Sequence, residues 1–303
     1  MRIGVTLPQR ESGMGTDLGA VREYVQATES LGYDHLRTGE HVLGANVASR
    51  PDWKGPYGHT DLWHEPFVLF GYLAGITQKL ELVTSIVILP QRQTALVAKQ
   101  AAEVDVLSGG RLRLGIGVGW NDVEFEALGE DFGNRGRRCD EQIDVMRALW
   151  TQELVTFEGQ WHKITDAGLN PMPVQRPIPI WIGGGPGSVG GLSAPSSDRV
   201  LRRIAKRADG WFPSVGLDGI RPVVTRLHEH MQDEGRDPPE VGVEGSLPIA
   251  EGTTEDWVQQ MSAWEEAGAT HISVNSAGGG FSSAGQHIDA LRRFKEATAH
   301  VTG

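Results

Sequence analysis

Cysteine is almost absent from this sequence: Cys139 is the one example in 303 residues, so no intrachain disulfide can form. Basic residues are also scarce, with 28 Lys and Arg against 39 Asp and Glu, and a net charge of −11 disfavours nucleic acid and anionic membranes as partners. No run of 18 uninterrupted apolar residues occurs, and the opening MRIGVTLPQR lacks the apolar stretch of a secretory signal. We therefore expect a cytoplasmic protein that acts on a small molecule.

Strand patterns and helix patterns alternate along the whole chain. Short stretches in which apolar and polar residues alternate are followed by segments with apolar residues at helical spacing. Eight such units occur, which predicts parallel strands joined by helical crossovers. An α/β protein of this length with eight units is predicted to be a (β/α)8 TIM barrel, and a doubly wound open sheet is the alternative.

Two segments depart from the regular pattern. The third strand, LELVTSIVIL at 80–89, is almost continuously apolar, which is typical of a strand covered on both faces. Residues 154–164 predict a small hairpin inserted after strand four, turning at Glu158-Gly159. No linker divides the chain, so we expect a single domain over residues 1–303.

The fourth strand carries a run of alternating glycines, RLRLGIGVGW at 111–120. Its spacing does not fit the dinucleotide fingerprint G-x-G-x-x-G. Glycine at a strand end marks a close approach to the backbone, either by a neighbouring strand or by a cofactor. Residues 185–190 do fit the fingerprint, with Asp209 at a suitable distance, but no helix follows at once, so we interpret them as a lid or phosphate-contacting loop.

Glycine and polar residues cluster after several predicted strands. In a TIM barrel these strand ends form the active site. The cluster favours a mouth lined by glycine backbone, where a flat ring and a phosphate could lie close to the chain. His59 and His64 lack a third ligand, so no metal site is predicted.

The sequence resembles the luciferase-like monooxygenase family of flavin- and deazaflavin-dependent barrel enzymes, and most of all its branch that uses coenzyme F420. The segments that carry the resemblance are LGYDHLRTGEH (31–41), LVTSIVILP (82–90), EVDVLSGGRLRLGIGVGWNDVEFEALG (103–129), RGRRCDEQIDVMRALW (135–150), PVQRPIPIWIGG (173–184) and ADGWFP (208–213). They span nearly the whole chain.

The resemblance implies a role for each matching position. His41 stands where the family has a catalytic histidine at the reactive edge of the cofactor ring, and Glu40 beside it is expected to bond to the cofactor or the backbone. Ser85-Ile86 stands at the family's non-proline cis peptide, behind the ring. The other positions implied to contact the cofactor are Gly117, Val118, Gly119, Trp120, Asn121, Gly183, Gly184 and Gly185.

One position departs from part of that branch. The deazaflavin-dependent glucose-6-phosphate dehydrogenases have an acid after the strand-four glycines, where this chain has Trp120. That difference argues against a sugar-phosphate substrate.

Three functions are compatible with these features. The first is an F420-dependent oxidoreductase that transfers hydride to or from a small organic substrate. The second is an FMN-dependent monooxygenase that uses reduced flavin and oxygen, and the third is a non-catalytic flavin-binding barrel. The resemblance also implies a homodimer.

Two further features have open interpretations. The cluster Arg135, Arg137 and Arg138 is either a solvated helix face or a contact for the acidic tail of a cofactor. The long aromatic loop at 43–63 is either a lid or a contact with a partner chain.

Overall fold

The computed structural model describes residues 1–185 and 198–299 and, between them, the backbone of two short strands at 187–189 and 192–194. In chain order the strands are β1 Arg2–Thr6, β2 His35–Thr38, β3 Glu81–Thr84, β4 Val87–Ile88, β5 Leu112–Gly117, β6 Val155–Glu158, β7 Lys163–Ala167, β8 Ile180–Gly184, β9 Gly187–Val189, β10 Leu192–Ala194, β11 Gly210–Pro213, β12 Gly242–Pro248 and β13 His271–Asn275. The helices are α1 Leu18–Ser30, α2 Pro66–Ala74, α3 Thr94–Ser108, α4 Asp122–Ala127, α5 Arg135–Thr151, α6 Asp198–Arg207, α7 Leu217–Asp233, α8 Thr254–Glu266 and α9 Ala284–Thr298. Single 3₁₀ turns occur at Val47–Ser49, Leu89–Gln91 and Pro238–Glu240.

Eight parallel strands form a closed barrel. Their order around it is β1, β2, β3, β5, β8, β11, β12 and β13, and β13 pairs again with β1. Contacts between β3 and β5 close the remaining gap, with Leu82 opposite Leu112. The (β/α)8 prediction is therefore confirmed, and the open-sheet alternative is excluded.

Local sequence signals explain where the helices begin and end. Asp17 caps α1 by accepting hydrogen bonds from the backbone N–H groups of Gly19 and Ala20, at 2.8 and 3.1 Å. The helix ends before Gly32, whose φ of +74° suits a residue without a Cβ. No helix among the described residues is both long and apolar enough to cross a membrane.

Strand three differs from its predicted form. The segment 80–89 does not make one strand, because β3 ends at Thr84 and the chain resumes as β4 at Val87. Between them the Ser85–Ile86 peptide bond is cis, as predicted. Hydrophobicity alone did not reveal the break, since the residues on both sides of it are buried.

The alternating glycines of β5 match this broken strand. A Cβ on Gly115 would lie 1.9 Å from the carbonyl oxygen of Thr84, and one on Gly117 would lie 2.0 Å from the Cδ1 atom of Ile86. A Cβ on Gly119 would lie 2.5 Å from Ile88. Atoms of segment 84–88 fill the space that a side chain would need at each of the three glycines. These glycines therefore allow close packing of β5 against the neighbouring segment of the chain.

A charged network occupies the barrel interior near the N-terminal ends of the strands. The buried carboxylate of Glu244 accepts hydrogen bonds from Arg113 at 2.8 Å, Arg37 at 3.4 Å and Ser273 at 2.5 Å, and lies 3.2 Å from His35 Nε2. Burial alone would raise the pKa of Glu244, but His35, Arg113 and Arg37 outweigh burial and hold that pKa well below its usual value. The network therefore keeps Glu244 ionised inside the barrel.

The two irregular segments lie outside the barrel. The predicted hairpin is present as antiparallel β6 and β7. The fingerprint-like stretch forms part of the antiparallel pair β9 and β10, although Pro186 and Gly190 fall outside the described residues. Asp209 is used structurally: its carboxylate accepts from the backbone N–H of Ile180 at 2.7 Å and from Arg147 at 2.8 Å.

Candidate active site

A cavity of about 600 Å³ lies at the C-terminal ends of β2, β3, β5, β8 and β11. Ten of the twelve predicted site residues are on its wall: Glu40, His41, Ser85, Ile86, Val118, Gly119, Trp120, Gly183, Gly184 and Gly185. The closed barrel brings them together because parallel strands end at the same rim.

His41 is oriented by a carboxylate that we did not predict. Its Nδ1 atom lies 3.1 Å from Oε1 of Glu124, on α4, and this glutamate is only 1 % exposed. The same oxygen accepts from the backbone N–H of Val42 at 2.7 Å and of Leu43 at 3.3 Å. An ionised carboxylate only accepts, so Nδ1 carries the hydrogen and Nε2 of a neutral ring is left as an acceptor.

Aromatic rings surround His41. The ring centroids of Tyr57, Trp63 and Trp120 lie 5.1, 5.0 and 5.3 Å from that of the imidazole. We call these four residues the aromatic cluster. Tyr57 and Trp63 belong to the loop 43–63, so in this chain the loop forms part of the cavity wall.

Glu40 bonds to the backbone. Its Oε1 atom accepts from the N–H of Ile88 at 2.8 Å, and its carboxylate pairs with Arg92, which also reaches Glu65 at 3.0 Å. Burial raises the pKa of Glu40, while Arg92 and the Ile88 N–H act in the opposite direction. Glu40 therefore ties the end of β2 to the segment after β3.

Ile86 and the glycines of β8 shape another part of the cavity. A Cβ on Gly183 would lie 2.8 Å from the Cγ2 atom of Ile86, so this glycine makes space for that side chain. Gly184 and Gly185 have φ values of +126° and +115°, which side-chain-bearing residues rarely adopt. The carbonyl oxygen of Gly184 accepts from Trp211 Nε1 at 2.7 Å, which fixes this backbone.

Two predicted site residues do not line the cavity. Gly117 lies beneath Ile86 and provides room for its side chain. Asn121 is buried and caps α4, accepting from the N–H of Val123 at 3.3 Å and donating to the carbonyl oxygen of Leu43 at 3.1 Å. Asn121 thereby connects the strand-four loop to the loop that follows His41.

The three arginines at the start of α5 make different contacts. Arg135 lines the cavity, with its guanidinium carbon 3.7 Å from the ring centroid of Phe132, and it donates to the carbonyl oxygens of Gly119 and Phe132 at 3.2 and 2.7 Å. Arg138 forms an ion pair with Glu130. Arg137 is exposed and has no carboxylate partner within the described part of the chain.

A second cavity of about 800 Å³ adjoins the first, and the two share Val118, Arg135 and Val200. Three cations on its wall are paired with carboxylates: Arg203 with Asp140, Lys206 with Glu234 and Arg207 with Asp144. Four others have no carboxylate partner among the residues described here, namely Arg135, Arg137, Arg199 and Arg202. We call these four the arginine groove.

Several lining residues were not predicted as site residues. Phe132 and Ser214 come from loops and Val200 from α6, and their sequence gives no signal for the site, whereas Phe212 lies on strand β11, near its C-terminal end. For Glu124 the sequence does give a signal. It is an acidic residue in the first turn of a helix that starts soon after a barrel strand, and such a position lies near the mouth of the barrel.

Comparison with known proteins agrees with this architecture. Residues 1–300 match the family described as luciferase-like monooxygenases. An uncharacterised protein of Mycobacterium tuberculosis is 30% identical over 265 residues, covering 86% of this chain and 85% of that protein. An FMNH2-dependent dimethylsulfone monooxygenase of Pseudomonas putida is 28% identical over 258 residues, covering 84% of this chain and 64% of its own length. Among solved structures, an F420-dependent secondary alcohol dehydrogenase in complex with an F420–acetone adduct has a TM-score of 0.77 at 16% identity, with 98% of each chain covered.

Proposed function

Because the chain belongs to the luciferase-like monooxygenase family, we propose that it is an oxidoreductase that uses coenzyme F420 and transfers hydride between this deazaflavin and a small organic substrate. The observation that carries the choice of cofactor is the arginine groove, which adjoins the cavity containing His41. In a chain of net charge −11, four arginines without carboxylate partners in one groove favour an anionic ligand there.

The side chains present suit that cofactor. The positive-φ backbone at Gly184 and Gly185 leaves the cavity wall free of side chains at two positions, which suits a flat ring. When bound, a deazaflavin supplies a ring carbon that donates or accepts hydride and reacts poorly with oxygen. FMN ends in one phosphate, whereas the tail of F420 carries a phosphate and several carboxylates. The arginine groove spans α5 and α6, which suits the longer anion better.

His41 is the residue that handles the proton in this proposal. Hydride transfer to or from a carbonyl or alcohol requires a proton to move at the substrate oxygen. The contact with Glu124 keeps hydrogen on Nδ1, so Nε2 is the atom that takes or returns that proton. No described residue bonds to Nε2 of His41, which leaves this atom available.

Cofactor binding to the purified, cofactor-free protein tests the proposal. We expect F420 to bind more tightly than FMN and more tightly than the deazaflavin core without its tail, and we expect added salt to reduce the advantage over the core. The double variant Arg199→Gln, Arg202→Gln should weaken F420 by about 2- to 30-fold, since an exposed charge pair contributes about 0.2–1 kcal/mol.

The matched control is Arg221→Gln, an exposed arginine on α7 that pairs with Glu266 at 3.2 Å, away from either cavity. It should leave F420 affinity unchanged. Equal affinity for F420 and the tail-less core would contradict the role of the arginine groove, and tighter binding of FMN would contradict the cofactor assignment.

Replacing His41 by alanine separates catalysis from binding. We expect turnover to fall by about 10²- to 10⁴-fold, the usual contribution of general acid–base catalysis, while F420 affinity changes little. Unchanged turnover would show that His41 is not catalytic. A loss of cofactor affinity alone would assign it to binding.

The second candidate is an FMN-dependent monooxygenase, favoured by the Pseudomonas putida relative named above. Oxygen consumption by the protein with chemically reduced FMN, measured against free reduced FMN, separates the two functions. A substrate-dependent increase in oxygen consumption would establish the second candidate, and its absence together with F420 turnover would establish the first.

A further inference from the structure

The aromatic cluster contains an unexplained hydrogen-bond donor. Trp63 lines the cavity, yet its Nε1 atom is buried and has no hydrogen-bond partner among the described residues. Buried polar atoms in native proteins almost always have a partner, so an unpaired one points to a bound water or ligand. The Trp63 ring lies edge-on to His41, with 5.0 Å between centroids, so the indole and the imidazole lie on the same part of the cavity wall.

The cations near this donor are already engaged. Arg135, on the same cavity wall, stacks on Phe132 and donates to the carbonyl oxygens of Gly119 and Phe132. The guanidinium of Arg10 lies over two of the rings, 4.4 Å from the centroid of Tyr57 and 5.4 Å from that of Trp63. Its charge is already paired with Asp61 at 2.5 Å. A carboxylate or phosphate buried against these rings would lose its hydration without gaining a free counter-ion.

The loop is held against the cluster by further ring contacts. Trp53 lies 5.7 Å from Trp120, and a Cβ on Gly55 would lie 2.3 Å from that ring. Trp53 itself donates through Nε1 to the carbonyl oxygen of Tyr57 at 3.2 Å, so its donor is satisfied. Trp53 and Trp63 thus form a natural pair for comparison: two loop tryptophans, of which one has a free donor.

We propose that the aromatic cluster binds a neutral, largely apolar substrate with one carbonyl or hydroxyl oxygen, and that Trp63 Nε1–H donates to this oxygen. The inference deepens the proposed function and rests on it, because it takes the cluster to be the substrate side of an oxidoreductase. Anionic substrates such as sugar phosphates and carboxylic acids are rejected at this place.

Three probes of similar shape test the substrate class on the cofactor-free protein. They are acetophenone, which has a neutral carbonyl, ethylbenzene, which has no oxygen, and benzoate, which is charged at pH 7.5. Calorimetry and ligand-detected NMR measure their affinities. We expect acetophenone to bind at least 10-fold more tightly than benzoate. Equal or tighter binding of benzoate that persists in the double variant Arg199→Gln, Arg202→Gln, or no binding of acetophenone up to its solubility, would overturn the proposal.

Two tryptophan variants test the donor. Trp63→Phe removes the N–H and keeps an aromatic ring, and it should weaken acetophenone by about 2- to 12-fold, the effect of one neutral hydrogen bond, while ethylbenzene is unaffected. Trp53→Phe, the control, removes a donor that bonds to the carbonyl oxygen of Tyr57, and any change it causes should be equal for acetophenone and ethylbenzene. An unchanged acetophenone affinity in Trp63→Phe would mean that the donor binds a water and not the substrate, which overturns this part of the proposal.

The wild-type protein provides a measurement that does not depend on a variant folding. With ¹⁵N-labelled tryptophan, acetophenone should shift the Nε1–H signal of Trp63 and ethylbenzene should shift it much less. Equal shifts would contradict a hydrogen bond. These experiments use no cofactor, so their outcome does not depend on whether F420 binds. Tight binding of F420 would not support the inference if benzoate bound more tightly than acetophenone.

Discussion

Replacing Glu244 by glutamine tests how the barrel interior is stabilised. The side chain of Glu244 is fully buried, and it compensates Arg113, whose side chain is 2% exposed, and Arg37, whose side chain is 12% exposed. The variant removes the negative charge and leaves both guanidinium groups short of a counter-ion, although Arg113 keeps Glu81 at 2.9 Å. Breaking a buried pair in this way costs about 3–5 kcal/mol.

The expected change in melting temperature follows from the chain length. With an unfolding entropy of about 2.1 cal/mol/K per residue, 303 residues give about 0.6 kcal/mol/K. A loss of about 3–5 kcal/mol therefore lowers Tm by about 5–8 °C at pH 7. Circular dichroism during heating measures this, with Glu158→Gln as the control, because that exposed glutamate pairs only with Lys163 at 3.4 Å and should change Tm by no more than about 2 °C.

The same variant has a defined pH dependence. Since the pKa of Glu244 is lower in the folded protein than in the unfolded chain, its contribution to stability is complete above the unfolded pKa of about 4.3. The contribution is lost as the pH falls further, through the folded pKa. The Tm difference between wild type and variant should thus be constant from pH 7 to about pH 5 and shrink below that. A difference that grows on acidification, or an equal loss in the control, would refute the ion-pair explanation.

Three other changes have clear expected outcomes. Glu124→Ala, which removes the acceptor, should reduce turnover by more than 10-fold with little change in F420 affinity, and the ¹⁵N signals of His41 should no longer favour the Nδ1–H form; an unaltered spectrum would contradict the orienting role. Gly115→Ala should lower Tm by several degrees, because its Cβ would meet a backbone carbonyl at 1.9 Å, and an unchanged melting curve would be inconsistent with that packing. Val68→Asp with Leu96→Asp, on exposed positions of α2 and α3, should convert the expected homodimer to monomers in light scattering, whereas a monomeric wild type would disprove the dimer.

The architecture could be predicted from sequence because its signals are local. Capping at Asp17, the stop at Gly32 and the alternation in each strand depend on neighbours within a few residues. In a barrel of eight parallel units, all the strands end at the same rim, and active sites lie there. This explains why ten of the predicted site residues line one cavity.

The parts of the site that could not be predicted from the sequence depend on contacts between residues far apart in the chain. Glu124 and His41 are 83 positions apart; the local sequence places each near the mouth of the barrel but does not indicate that their side chains are in contact. Arg135 belongs to a cluster that resembles a solvated helix face, and only the course of the chain after β5 brings it against Gly119. Hydrophobicity also did not reveal the break in strand three, because segment 80–89 is almost continuously apolar; the resemblance alone marked Ser85-Ile86 as unusual.

Strand β5 shows how one element serves both stability and function. Its inward positions run from Arg113, which pairs with Glu244, through Gly115 to Gly117, which makes room for Ile86. The charged end lies at the N-terminal side of the barrel, where residues stabilise the fold, and the glycine end lies at the rim that carries the cavity. Glycine removes side chains where Ile86 must reach the cavity, and this loosens the strand, since glycine is a poor strand former. The ion pairs at the other end of the same strand offset that loss. Substitutions at Arg113 should therefore change Tm without changing ligand affinity, and substitutions at Gly117 should change both.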